Sequence, residues 1–232
     1  MPRRPRVFLP SVPCHVTFRG NNRHDIVRCD GDRLRLLDEL RRATNSHELD
    51  VHAYVIMNNH VHLLVTGQTV DSLPKAMQSL GRRYIAYFNA RHGRTGTLWE
   101  GRYKSSLVAS EEYLFNCHRY IEQNPVRAGM VDVPGSFIWS SSRHYAAVQA
   151  DDLVTAHEAW LSIGETEGIR RSVWAGLVNA PLADAVVGVI RKATWAGLAI
   201  GEDRDCERLE SSIGRQVTAG ERGWRKGRPR GQ

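Results

Sequence analysis

Residues 51–66 constrain the fold more tightly than any other part of this chain. They read as two strands, roughly 51–57 and 60–66, joined by a tight turn. Side chains alternate between faces along a strand. His60 and His62 therefore project together, while Val61, Leu63 and Val65 project from the opposite face. The apolar face is suited to packing on a core. Two imidazoles side by side on a rigid strand make half of a divalent-metal site. The competing reading is a pair of histidines that only satisfies hydrogen bonds on a half-buried strand.

The flanking sequence supplies the rest of a sheet. Residues 14–19 form a short strand by their β-branched and aromatic content, broken at Gly20. Residues 33–47 carry Leu34, Leu37, Leu40 and Ala43 at helical spacing, with Asp30 or Asp32 as the cap. A second helix over 71–90 buries Leu73, Met77, Leu80, Tyr84 and Phe88 and leaves Arg82 and Arg83 off that stripe. Residues 98–109 are part loop and part strand. Ser110 opens a third helix with an acidic first turn, which runs to about Asn124 because Pro125 disfavours helical geometry before it. Strand, helix, strand, strand, helix, strand, helix is the pattern of an α+β ferredoxin-like unit, an antiparallel sheet with helices on one face.

The division expected is a domain over 1–147, a small helical extension over 148–203, and a polar to basic flexible tail over 204–232. Residues 153–162 and 181–196 are the helices expected in the extension. No run approaches the roughly 18 apolar residues of a membrane span. The first residues lack the apolar stretch of a signal peptide, so a cytoplasmic protein with no membrane partner is expected. Four irregularly spaced cysteines match neither a disulfide framework nor a zinc pattern. A net charge of +7 and a pI near 9.5 favour a polyanionic partner, or simply a basic surface.

A second constellation lies on the third helix. Tyr120 and Asn124 are one turn apart and share a face. An asparagine carbonyl is a hard ligand suited to Mg²⁺ or Mn²⁺, and the tyrosine could present its oxygen to whatever a cation polarises. A core aromatic beside a helix-capping asparagine is the plainer alternative. Other metal sites built on paired histidines do not continue correctly. A metallo-β-lactamase-like site needs an Asp and a third His, and a cupin needs a Glu, where this chain has Leu63 to Gln68.

Three segments in this order, Asn58 to Leu64, Leu98 to Ser106, and Tyr120 to Gly129, resemble the single-tyrosine HUH transposases. These are the IS200/IS605-like group, and the resemblance is nearest to REP-associated tyrosine transposases. It covers about residues 7–147 and departs at Asn59, where the family often has a different residue before the first histidine. The resemblance implies His60, His62 and Asn124 as ligands of one Mg²⁺ or Mn²⁺, and Tyr120 as the nucleophile. It implies an endonuclease and strand transferase that cuts and rejoins single-stranded or hairpin DNA, REP elements included, through a 5′-phosphotyrosine link, with no small-molecule substrate. It leaves monomer or dimer open. Arg19, Arg23, Arg102, Lys104 and Arg127, and in the tail Arg222, Arg225, Lys226, Arg228 and Arg230, are candidate phosphate contacts. Trp99 or Tyr103 could stack on bases. A non-catalytic, domesticated hairpin-DNA-binding protein of the same fold is the alternative, and a metal hydrolase without DNA specificity a further one.

Overall fold

The computed structural model describes residues 6–218. Strands β1 (Cys14–Arg19), β2 (Leu49–Ile56), β3 (His60–Gly67) and β4 (Lys104–Leu107) form one sheet in the order β2-β3-β1-β4, antiparallel throughout. Helices α1 (Asp30–Ser46) and α2 (Ser72–His92) connect them. After β4 come α3 (Glu111–Glu122), α4 (Asn124–Arg127), α5 (Ser142–Tyr145), α6 (Glu158–Leu161), α7 (Glu167–Asn179), α8 (Asp184–Ala196) and α9 (Asp203–Ile213). The expected α+β ferredoxin-like sheet is present. Among the described residues no single helix is long and apolar enough to cross a membrane.

Register decides which side chains meet. Val16 pairs with Leu63 and Phe18 with Val61. With Val65 they join Leu40, Leu73, Leu80, Tyr84 and Phe88 in the larger core under α1 and α2. The alternate set on β1 and β3, which includes His15 and Arg19 with His60, His62 and Leu64, faces the other way. That face is covered as well. Leu64, Ala53 and Val55 pack with Cys117, Tyr120 and Ile121 of α3 and with Val187 and Ile190 of α8. Helices therefore lie on both faces, where one had been expected. The reason is visible in β2, whose Val51, Ala53, Tyr54 and Val55 are all at most 2% exposed. A strand apolar on both faces needs cover on both.

Several local expectations shift. Leu34 is 60% exposed, and Leu36 takes its place on the buried stripe of α1. Asp32 does not stand at the cap position. The cap is Cys29, and Asp30 and Asp32 both lie in the first turn, where Asp32 Oδ2 accepts the Arg28 N–H at 2.8 Å. Helix α3 stops at Glu122, and Pro125 lies in the first turn of the next short helix instead of ending the first. Asn124 is thus the opening residue of α4. Helices α7 and α9 appear where no helix was expected, α9 within the stretch read as tail. Cys206 of α9 and Val217 are buried in the larger core.

The extension grips α3. Glu122, fully buried, accepts from Ser141 Oγ at 2.7 Å and Trp174 Nε1 at 3.3 Å, and His118 Nε2 lies 3.1 Å from it. Gln123 Nε2 donates to the carbonyls of Val178 and Ala180, and Arg119 to that of Ala180. Removing one buried acceptor strands several donors, each costing about 1–3 kcal/mol. Glu122→Ala is expected to lower stability by about 3 kcal/mol in urea unfolding. Leu34→Ala, at an exposed site, is expected to stay within about 0.5 kcal/mol. Equal effects would contradict this account of α3.

Candidate active site

Strand β3 presents His60 and His62 to the face beneath α3 and α8, with ring centroids 5.0 Å apart at 88°. Tyr120 meets His62 edge to face at 5.5 Å and His15 at 5.8 Å. His60, His62, Tyr120, Asn124 and Arg127 all line one cavity of about 850 Å³. The Arg127 guanidinium lies 4.5 Å over the Tyr120 ring, and its Nη2 donates to the Tyr120 carbonyl at 2.7 Å. The tyrosine is therefore held at both its ring and its backbone.

Each candidate ligand has one polar atom committed to a protein partner and one left over. Asn59 Nδ2 donates to the Arg23 carbonyl at 3.1 Å, which turns Asn59 Oδ1 toward His60 Nδ1 at 2.6 Å. His60 Nδ1 must then carry the proton, so its Nε2 keeps the lone pair. His62 Nδ1 lies 2.9 Å from His15 Nε2, and His15 Nδ1 lies 2.9 Å from Thr194 Oγ1. This chain has two neutral arrangements. In one, His62 donates to His15 and His15 donates to Thr194, which leaves His62 Nε2 bare. In the other each proton sits one place along, and His62 Nε2 is protonated. A cation on Nε2 selects the first arrangement. Asn124 Nδ2 donates to the Tyr120 carbonyl at 3.0 Å, which leaves Asn124 Oδ1 available.

These donors fit a divalent cation. The amide oxygen suits Mg²⁺ or Mn²⁺, and neutral imidazoles ligate first-row ions. Burial keeps the imidazoles neutral. It pulls His60 down to about 4, with the Arg19 charge adding to it, and His15 down to about 3. His62 falls well below the usual histidine range through burial, then through repulsion from His15 and His60. Among the described residues no three His, Cys, Asp or Glu side chains are grouped for a metal, so a site here needs the amide as its third donor.

Arg19, Arg102 and Lys104 line the same cavity, and Glu100 is the one acidic residue among its lining. Arg23 does not line it and contributes its carbonyl to Asn59 instead. Arg222, Arg225, Lys226, Arg228 and Arg230 lie outside the described residues. Trp99 is no free stacking surface, since its ring packs on Phe18 at 5.1 Å and Tyr84 at 6.1 Å. Tyr103 does line the cavity, with the Arg6 guanidinium 3.8 Å over its ring. Tyr84 is a core residue as read, its hydroxyl donating to the Ile26 carbonyl. Tyr113 is buried and absent from the cavity lining.

The sequence reading missed His15, Arg191, Thr194 and Trp195, all of which line the cavity. His15 had a usable signal: it shares a strand face with Thr17 and Arg19, which pair with His62 and His60. The other three come from α8, and nothing local to that helix announces the cavity. If His15 sets the His62 tautomer, its loss weakens metal binding. His15→Ala is expected to reduce Mn²⁺ affinity by about 10- to 100-fold in calorimetric titration. An unchanged affinity in a folded variant would remove His15 from the site.

Comparison with known proteins identifies the family. A family model described as "Transposase IS200 like" matches residues 9–124, half of the chain. A solved REP-associated tyrosine transposase bound to a REP hairpin aligns at 18% identity and a TM-score of 0.52, over 68% of this chain and 93% of its own. A putative transposase from Deinococcus radiodurans R1 aligns at 25% identity and a TM-score of 0.38, over 52% of this chain and 96% of its own. The search of curated proteins finds no match. The chain belongs to the IS200-like transposase family.

Proposed function

We propose that this transposase cuts and rejoins single-stranded DNA at hairpin-associated sites, with Tyr120 as the nucleophile. The observation that carries the reading is the edge-to-face approach of Tyr120 to His62 inside the cavity that also holds His60 and Asn124. Arg19, Arg102, Lys104, Arg127 and Arg191 around that cavity give it the charge a phosphodiester needs. A REP hairpin is the ligand of the solved relative with this fold, and REP-like palindromes are the substrate class proposed here.

His60 and His62 through Nε2, and Asn124 through Oδ1, would hold Mg²⁺ or Mn²⁺. When bound, such a cation supplies Lewis-acid stabilisation of charge on the scissile phosphate. The chain's own residues do the rest. Tyr120 Oη, having lost its proton, attacks phosphorus in line. The P–O3′ bond breaks, and the departing 3′ oxygen takes up a proton. The product is a 5′-phosphotyrosine with a free 3′-hydroxyl. Attack by a 3′-hydroxyl on that phosphotyrosine reverses the step and joins strands. Covalent capture keeps the phosphodiester energy available for joining, which direct hydrolysis would lose. Arg127 fixes the ring and main chain of the tyrosine, so most of its contribution is positioning.

The test is a labelled hairpin with a single-stranded flank, incubated with Mg²⁺ or Mn²⁺ and run under denaturing conditions. The wild-type chain is expected to give a protein–DNA adduct carrying the fragment on the 3′ side of the cut. Tyr120→Phe is expected to give none. Tight hairpin binding without cutting in either metal would instead make this a binding protein of the same fold.

A further inference from the structure

We propose that α8 supplies a nucleotide subsite at the mouth of the catalytic cavity, in which Trp195 stacks an unpaired base and Arg191 holds a phosphate. This rests on the single-strand reading above and goes beyond it, because both residues lie outside the residues that match the family. Both side chains line the cavity that holds Tyr120. They are four apart on α8, so they share one face.

Trp195 is 64% exposed, the highest value among the large apolar side chains that stand out from the surface. It adds nothing to either large core. Yet its position is fixed from several directions. Ile190, Ala193 and Thr194 anchor α8 in the sheet-facing core or nearby at no more than 7% exposure. Thr194 also bonds His15 at 2.9 Å, one imidazole away from His62. The Lys104 ammonium lies 3.9 Å from the indole centroid, and Lys104 Nζ donates to the Trp195 carbonyl at 3.2 Å. An indole held over a cation and otherwise open to solvent is a prepared stacking platform. Gly197 at φ +67° ends the helix beside it.

Arg191 makes no hydrogen bond or ion pair among the described residues. It is exposed and close enough to Arg127 for their charges to oppose each other. Two guanidinium groups brought together on one cavity, whose lining holds a single acidic residue, Glu100, suit a polyanion. A DNA single strand supplies both ligands at once, phosphate and unpaired base, at adjacent positions. A solvent-exposed surface tryptophan with no ligand would need neither Arg191 beside it nor Lys104 beneath it.

The test uses the full chain and a fluorescein-labelled oligothymidylate, intact or with one abasic position moved along it, read by anisotropy. Trp195→Ala is expected to weaken the intact strand by about five- to a hundredfold. The abasic position that costs the wild type most should cost this variant little. Trp195→Phe should restore most of the affinity, since a phenyl ring still stacks. Arg191→Gln should flatten the salt dependence by a slope of about 0.7. If Trp195→Ala and Arg191→Gln bind like the wild type, and the wild type still forms its adduct, the subsite is wrong and the function stands. If the wild type binds no single strand, the subsite is wrong, and if it also forms no adduct with the flanked hairpin, the function beneath it falls as well.

Discussion

The pairing of β3 with β1 is the constraint on which the site depends. Val61, Leu63 and Val65 are fully buried on one face of β3, and each such side chain contributes about 1.5–3 kcal/mol by leaving water. A slip of one residue would turn them toward the cavity face and drive His60 and His62 into the apolar core. The hydrophobic pattern therefore locks the register. That same register sets Arg19 opposite His60 and Thr17 opposite His62, and brings His15 within 2.9 Å of His62. Apolar burial on one face thus places the chemistry on the other.

The second requirement is that the tyrosine helix reach that face and stay there. Apolar burial alone would let α3 rotate. Directional contacts prevent it: the buried Glu122 with Ser141, His118 and Trp174, Gln123 with the carbonyls of Val178 and Ala180, and Arg127 over the Tyr120 ring. Several of these partners lie beyond residue 148. The C-terminal extension is then no appendage. It fixes the end of α3, reaches His62 through Thr194 and His15, and adds Arg191 and Trp195 to the cavity. Tyr120 faces His62 at 5.5 Å between ring centroids.

Much of this was legible in the residues. The period of two along residues 60–66 separates the histidine face from the valine face, and the strand and helix order yields the sheet. Tyr120 and Asn124 were readable as a pair because one helical turn links them, although α3 ends between them at Glu122. What stayed hidden depends on tertiary register. Leu34 fits a helical stripe as well as Leu36 does, and only packing against the sheet chooses between them. Trp99 and Trp195 look alike as letters. The first is half-buried and packs on Phe18 and Tyr84, while the second stands at the cavity mouth. Asn59 entered only as a departure from the family pattern, and its Oδ1 lies 2.6 Å from His60 Nδ1, a contact that depends on how the turn folds. Helices α7 and α9 carry enough polar residues to read as loop or tail.

The central claim is that Tyr120 itself takes the DNA. The most direct measurement is to trap the covalent complex formed by the wild-type chain, digest protein and DNA, and locate the nucleotide mass by tandem mass spectrometry. The account predicts a nucleotide joined through its 5′-phosphate to Tyr120 in the peptide that includes Asn124. The same mass on Tyr103 or Tyr113, or on any residue other than Tyr120, would contradict it.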